Sequence, residues 1–167
     1  MLGNRSRLSE QGHYAKARGN ILDQGISYMG SSAGADANQY GGGGTTDVFQ
    51  RLVPFWQLHL YFADQGYEDF YADLMIAMRG QEPKSGRNRN DGWMDMLEFT
   101  RLASQVGKTD LTEFFDRWGF YYVGKVDGND YGVFSYDITQ EAVDGVKKAI
   151  ADMNLPKPKK DITLYED

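Results

Sequence analysis

The chain has 167 residues, a net charge of −6 and no cysteine. A chain of this length suits one domain with a substantial core, because it can bury roughly 70% of its unfolded surface. The acidic charge argues against nucleic acid as a partner, since nucleic-acid-binding proteins present basic surfaces. The lack of cysteine excludes disulfides, thiol catalysis and cysteine zinc sites. No apolar run approaches the roughly 18 residues of a membrane span, so we expect no membrane insertion.

The first part of the chain predicts one helix followed by a loop. Small and apolar residues recur at about helical spacing between Tyr14 and Met29, which predicts a helix over residues 9–29. Residues 30–45 are rich in glycine and lack this periodicity, so they predict a flexible surface loop. The glycines before Thr45 have neither the lysine nor the preceding strand of a phosphate-binding loop, which disfavours nucleotide binding.

Residues 46–118 predict the helical core. Proline removes a helical hydrogen bond, so Pro54 predicts a kink or two abutting helices. Asp91 is expected to cap one helix, and Asp110 and Glu113 have the spacing of a capping box at the start of another. The expected helices of this region cover residues 46–64, 67–79, 91–107 and 110–118.

The C-terminal part changes to a mixed pattern. Residues 120–137 are β-rich on either side of Asp-Gly-Asn-Asp, which predicts a β-hairpin with its turn at residues 127–130. Thr139 is expected to cap a helix over residues 139–154, and prolines and lysines after it predict an extended tail over residues 155–167. The predicted fold is a mainly α, single-domain helical bundle with a small C-terminal β-hairpin.

No self-sufficient active site is visible in the sequence. His13 and His59 are the only histidines, and neither has a second histidine three or four residues away, as a zinc-binding helix requires. Neighbouring carboxylates such as Asp95 and Glu98 do not establish a glycosidase pair, because their separation in space cannot be read from sequence. A serine triad would need an activated serine on a sharp strand-to-helix turn, and the sequence predicts no serine at such a turn. We therefore assign no catalytic residue, no metal ligand and no cofactor to this chain.

Four aromatic side chains are the candidates for a substrate cleft: His59, Tyr61, Trp56 and Trp118. His59 lies in an apolar aromatic run, where it is either a hydrogen-bonded core residue or a donor to substrate at a cleft wall. The other three are either core residues or a ligand platform. A polar loop carries three basic residues that are either simply solvated or steer an anionic glycan: Lys84, Arg87 and Arg89.

An ordered series of sequence blocks resembles the C-terminal part of enhancin-like zinc metallopeptidases, the M-sixty-like peptidases. The blocks are RLVPFWQLHLYF at 51–62, DFY at 69–71, DLTEFFDRWGF at 110–120, ITQ at 138–140 and LPKP at 155–158. The resemblance implies a gluzincin, in which a His-Glu-x-x-His helix and a downstream glutamate bind zinc and the motif glutamate is the general base. It also implies secreted enzymes that degrade mucin-like glycoproteins.

The chain departs from that family because it contains no His-Glu-x-x-His. We therefore expect a cleft-closing C-terminal portion that is inactive alone, with zinc belonging to the full-length enzyme and an N-terminal catalytic half as its partner. Met1 stands directly before sequence that resembles the middle of the family's domain. This favours a piece excised from a longer enzyme over a homologue that lost its catalytic half. His59 and Tyr61 are the nominees for orienting substrate. The alternative is a non-catalytic module that keeps the fold and binds glycan or protein.

Overall fold

The structure of the chain is a computed structural model that describes residues 5–23, 48–82, 88–129 and 133–167. Its N-terminal helices are short. The Ser6 hydroxyl accepts a hydrogen bond from Ser9 N and caps α1, Arg7–Glu10. Gly12 follows in a left-handed conformation with φ 69°, and it separates α1 from α2, His13–Ala17.

The predicted helix over residues 9–29 is therefore interrupted at Gly12 rather than continuous. Beyond α2 the chain continues as a π-helix over Arg18–Asp23. The remainder of that predicted helix, and the glycine-rich segment at residues 30–45, lie outside the described residues.

The central helix is α3, Val48–Asp64, which contains Pro54 and is one helix rather than two. Gly66, with φ 78°, allows the chain to turn after it. The next helix, α4, runs from Phe70 to Arg79, three residues shorter at its start than predicted.

A single 3-10 turn, Arg89–Asp91, leads into α5, Gly92–Gly107. Asp91 occupies the N-cap position of α5, as predicted, but its side chain makes no capping hydrogen bond to that helix. Its carboxylate instead accepts a hydrogen bond from Asn88 N in a capping box that closes the 3-10 turn.

The short helix α6, Thr112–Arg117, starts slightly later than the predicted capping box. Asp110 contributes by accepting a hydrogen bond from Thr112 N at 2.9 Å, while Leu111 occupies the N-cap position. The helix ends at Trp118, as predicted, and Gly119 follows with φ 73°.

The β-hairpin consists of β1, Gly124–Asn129, and β2, Val133–Ile138, paired antiparallel with Gly124 opposite Ile138. Asp127 pairs with Ser135, so β1 extends through most of the segment predicted as the turn. After β2, the Thr139 hydroxyl accepts a hydrogen bond from Ala142 N, which confirms it as the cap of α7, Gln140–Asp152. A tail with one 3-10 turn, Ile162–Leu164, completes the chain.

Aromatic side chains from α3, α4, α5 and α6 form the core. Phe62 on α3 stacks on Phe70 of α4 with ring centroids 4.0 Å apart, and Phe115 on α6 meets Phe99 of α5 edge to face. The mainly helical fold with a small C-terminal hairpin is therefore confirmed. One face of α3 packs into this core, and another face is half-exposed. The candidate site lies on the half-exposed face.

Candidate functional site

Helix α3 positions three of the four cleft candidates. Trp56 and His59 are one turn apart on its half-exposed face, and their rings lie 4.7 Å apart, tilted by 38°. Leu52, one turn before Trp56 on the same side, is exposed. Leu52, Trp56 and His59 share one side of α3 because residues that are three or four positions apart in a helix lie on the same face. Trp56 and His59 therefore form an aromatic pair on this half-exposed face.

Asp167 joins the C-terminal tail to the N-terminal helices. Its carboxylate accepts hydrogen bonds from Ser6 N, the Ser6 hydroxyl and the Tyr14 hydroxyl at 2.8–2.9 Å. The indole N–H of Trp56 adds a weaker interaction outside ordinary hydrogen-bond geometry. Burial opposes ionisation of this carboxyl, but the hydrogen bonds from Ser6 and Tyr14 prevail and lower the pKa of Asp167. Asp167 thus links the C-terminal tail to Ser6, the cap of α1, and to Tyr14 on α2.

Tyr61 faces the interior and is only 3% exposed. Its ring meets Phe62 and Tyr165 edge to face, with centroids 5.0 and 5.6 Å apart. Its hydroxyl accepts a long hydrogen bond of 3.4 Å from Lys159 N. The Tyr61 side chain therefore lies where α3 packs on the C-terminal tail. It is not on the face of α3 that carries Trp56 and His59.

Trp118 is also an interior residue, 1% exposed, at the end of α6. Its indole N–H donates to Gln57 Oε1 at 3.1 Å. The amide nitrogen of Gln57 in turn donates to the backbone carbonyls of Thr163 and Tyr165, at 2.8 and 3.2 Å. Gln57 thus joins three parts of the chain in the core. A buried amide with all its partners in place is stabilising, whereas loss of one partner is costly.

The C-terminal tail crosses the back of α3 and is held by ion pairs. Three lysine or arginine residues reach aspartates on or beside it at 2.7–2.9 Å: Lys157 to Asp110, Arg117 to Asp161, and Lys160 to Asp64. Arg18 pairs with Glu166 in the same way. Each exposed pair contributes little by itself, about 0–1 kcal/mol. Together with the Gln57 and Asp167 contacts they fix the tail along its length.

The predicted basic loop is described only in part. Lys84 and Arg87 lie outside the described residues. The Arg89 guanidinium lies 5.6 Å from the centre of the Phe134 ring on β2, a cation–π contact that connects the 3-10 turn to the hairpin. A role for this loop in steering an anionic glycan stays a prediction.

A cavity of about 460 Å³ opens between α4 and α5. Its apolar lining comes from Met78, Phe99 and Leu102, and polar side chains including Glu98 surround them. Glu98 is bound by Arg101 through two hydrogen bonds of 2.5 and 2.9 Å. The sequence did not predict this cavity, because its lining comes from side chains of separate helices.

Within the described ranges, no group of three or more histidine, aspartate or glutamate side chains is arranged to hold a metal ion. His59 has Trp56 as its aromatic neighbour rather than a cluster of carboxylates. The residues of the described part therefore do not fit a zinc site. None of its helices has the length and apolar character needed to cross a membrane.

Two solved structures with this fold are metallopeptidases. A metallopeptidase from Bacteroides thetaiotaomicron is 25% identical with a TM-score of 0.67, and the match covers 91% of this chain and 23% of that one. A metallopeptidase in complex with Tn antigen is 26% identical with a TM-score of 0.69, over 100% of this chain and 28% of that one. A functionally unknown conserved protein from Bacillus anthracis shares the fold, with 24% identity, a TM-score of 0.62 and 99% and 26% coverage.

The sequence model of the family described as Peptidase M60, enhancin and enhancin-like matches residues 12–119, which is more than half of the chain. The chain therefore belongs to this enhancin-like metallopeptidase family. It spans about a quarter of the length of the solved structures it matches. No curated protein gives a match.

Proposed function

We propose that this chain is the helical, cleft-closing part of a secreted zinc metallopeptidase of the gluzincin type, acting on mucin-like glycoproteins. The observation that carries the proposal is the similarity along the entire chain to a metallopeptidase solved with Tn antigen. Because that match covers only 28% of the other protein, this chain corresponds to one part of a larger enzyme. The reaction then needs an N-terminal catalytic half that supplies the metal.

The half-exposed face of α3 is our candidate for the cleft wall. Trp56 and His59 would contact substrate, since they are adjacent and accessible. An indole face suits the apolar side of a sugar ring, and an imidazole can donate a hydrogen bond to a peptide carbonyl or a hydroxyl. Tyr61 and Trp118 would support this wall from the core, through the tail and through Gln57.

Zinc has no assigned ligand in this chain. The described residues lack a metal-binding group, and the sequence lacks His-Glu-x-x-His. In the full-length enzyme zinc would activate a water for attack on the peptide bond. The contribution of this chain would be to bind and orient the glycopeptide and to exclude water from the cleft.

Two measurements test the proposal: zinc binding by calorimetry, and cleavage of an O-glycosylated peptide followed by mass spectrometry. Each is made on the 167-residue chain and on a longer polypeptide that includes the His-Glu-x-x-His half. We expect cleavage and stoichiometric zinc only with the longer polypeptide. Tight 1:1 zinc binding, or glycopeptide cleavage, by the 167-residue chain would contradict the proposal.

A non-catalytic glycan- or protein-binding module is the second candidate, favoured by the accessible Trp56–His59 pair. It predicts that the 167-residue chain alone binds a peptide carrying N-acetylgalactosamine, and that Trp56→Ala abolishes binding without unfolding the chain. Trp93→Ala is a matched control, because Trp93 is a half-buried tryptophan on another helix, α5. If Trp56→Ala and Trp93→Ala lost glycopeptide binding equally, the loss would be attributed to unfolding of the chain and not to a missing contact at Trp56.

A further inference from the structure

The C-terminal tail, residues 155–167, is held to the rest of the chain mainly by polar contacts. Its buried side chains are Ile162 and Thr163, so Ile162 is the one large apolar side chain that it buries. The core of the chain, by contrast, is built from aromatic rings on several helices. Segments with few buried apolar contacts open at a lower free energy than the core on which they lie. The tail therefore has the make-up of a segment that opens separately from the core.

Two aspartates on the body of the chain bind the tail. Asp64, at the end of α3, accepts hydrogen bonds from Lys160 Nζ at 2.8 Å and from the Tyr165 hydroxyl at 2.7 Å. Asp110, just before α6, pairs with Lys157 Nζ at 2.9 Å. At both positions a lysine of the tail is held by a carboxylate, and the attraction requires that this carboxylate be ionised.

Two aspartates of the tail make the reverse contacts. Asp161 pairs with Arg117 of α6 at 2.7 Å. Asp167 accepts hydrogen bonds from Ser6 and from the Tyr14 hydroxyl at 2.8–2.9 Å. Charges therefore cross the contact in both directions, with tail lysines on body aspartates and tail aspartates on body donors. All four contacts contain a carboxylate, so one change of solution pH acts on all of them.

The fold lowers the pKa of each of these four aspartates. At Asp64 the hydrogen bond from Lys160 is the main cause. At Asp110, Asp161 and Asp167 burial opposes ionisation, but the hydrogen bonds that these carboxylates accept prevail. Because the folded pKa is lowered, the stabilisation is present above the ordinary aspartate pKa of about 3.9 and is lost as the pH falls through the lower folded values.

We propose that the C-terminal tail is an acid-released strap, which detaches from α3 and α6 below about pH 4 while the aromatic core stays folded. Protonation weakens the four aspartate contacts together. It also removes the counter-charges of Lys157 and Lys160 in a segment that carries Lys159 as well, so the tail gains a run of positive charge. The pair of Arg18 with Glu166 adds a fifth carboxylate to the same contact.

Release of the strap reaches the candidate face of α3 through Gln57. The side-chain amide of Gln57 donates to two backbone carbonyls of the tail, and its Oε1 accepts from the Trp118 indole. Detachment removes both tail acceptors on the inner side of α3. Acid therefore loosens the helix that carries Trp56 and His59 without unfolding it. This coupling depends only on contacts within the described chain, so it holds whether or not the chain is part of a peptidase.

Hydrogen exchange of single backbone amides, followed by NMR on the 167-residue chain between pH 6 and pH 3, tests the proposal. The rates are divided by the intrinsic exchange rate at each pH. Two amides report on the tail: the N–H of Asp110, which donates to the Pro156 carbonyl, and the N–H of Tyr165, which donates to the Ile162 carbonyl. The amide of Leu102, a buried residue within α5, reports on the core.

We expect protection of the two tail reporters to fall with acid at least about tenfold more than protection of Leu102. A change of one pKa unit at one carboxyl corresponds to a factor of ten in the opening equilibrium, and four carboxyls contribute here. If the tail reporters stayed protected at pH 3, or lost protection in step with Leu102, the proposal would be overturned.

A double variant and a matched control locate the effect in the carboxylates of the contact. Asp110→Asn with Asp161→Asn removes two of the ion pairs, so the tail reporters should be less protected at pH 6 and should lose less protection on acidification. Asp152→Asn is the control, because Asp152 pairs with Lys148 within α7 and does not touch the tail. An unaltered pH dependence in the double variant, or an equal change in the control, would count against the strap.

Discussion

Gly107→Ala should destabilise the chain, although alanine is the better helix former. Gly107 is the last residue of α5, and a Cβ atom placed on it would lie 2.3 Å from Phe62 Cζ and 2.8 Å from Phe62 Cε1. Carbon atoms in good contact are about 3.5–4.0 Å apart. The added methyl group therefore needs Phe62 or the end of α5 to move by more than an ångström.

Phe62 has little room to move. Its side chain is buried, it stacks on Phe70 at 4.0 Å, and it meets Tyr61 edge to face at 5.0 Å. Overpacking of a closed core costs about 1–3 kcal/mol. The gain in helix propensity is at most about 1 kcal/mol in a helix interior and smaller at a helix end. The steric cost outweighs the gain, so we expect a net loss of about 1–2 kcal/mol.

Gly145→Ala is the control for helix propensity. Gly145 lies inside α7, is exposed, and has no neighbouring atom within 4 Å of an added Cβ. The same substitution there should raise the free energy of unfolding by about 0.5–1 kcal/mol. Urea denaturation and thermal unfolding of both variants measure the difference, with about 2–4 °C expected per kcal/mol for a domain of this size.

A double-mutant cycle locates the cause of the Gly107→Ala effect. In a Phe62→Leu background the ring is gone, so Gly107→Ala should cost less than in the native chain, and the coupling energy should exceed about 0.5 kcal/mol. A clash with Phe62 would be contradicted if Gly107→Ala stabilised the chain as much as Gly145→Ala, or if Gly107→Ala cost the same with and without the Phe62 ring.

Two further predictions concern the C-terminal tail. Gln57→Leu leaves the Trp118 indole N–H and the tail carbonyls without partners, so it should lower the free energy of unfolding by about 2–4 kcal/mol, whereas exposed Gln140→Leu should stay within about 0.5 kcal/mol in urea denaturation. Hydrogen bonds and ion pairs hold the pKa of four aspartates below its ordinary value in the fold: Asp64, Asp110, Asp161 and Asp167. Because the folded pKa is lowered, this stability is present above about pH 4, the ordinary aspartate pKa, and is lost as pH falls through the lower folded values. Calorimetry should show a melting temperature that drops below pH 4, and a constant one between pH 3 and 6 would contradict this.

The helices of the second half could be predicted because their signals are local. Thr139 and the apolar spacing after it fix the start of α7, and Gly107 and Trp118 end their helices where expected. The hairpin was predicted, but its turn was placed too early, because Asp127, Gly128 and Asn129 pair with β2 as strand residues. A turn-forming sequence does not fix the register of a hairpin by itself, since the burial of one face of the strands also determines it.

The roles of the aromatic residues could not be predicted from periodicity. Trp56 lies within α3 and Trp118 at the end of α6, yet Trp118 is buried in the core and Trp56 is half-exposed. The difference comes from Gln57, whose partner Trp118 is 61 residues away and whose other partners lie in the tail. A polar residue in an aromatic helix was the available signal, because a buried amide must find partners.

The tail accounts for the orientation of the candidate surface. Gln57 stands next to Trp56 in sequence and is bound to the tail on the buried side of α3, while Asp167 accepts hydrogen bonds from Tyr14 and Ser6. The rotation of α3 about its own axis is therefore fixed by contacts on its inner side, and that rotation determines that Trp56 and His59 face outward. In an enzyme that closes a cleft with this helix, Trp56 and His59 would then already be in position before substrate binds. Little binding energy would be needed to order them, so more of it would be available to orient the substrate.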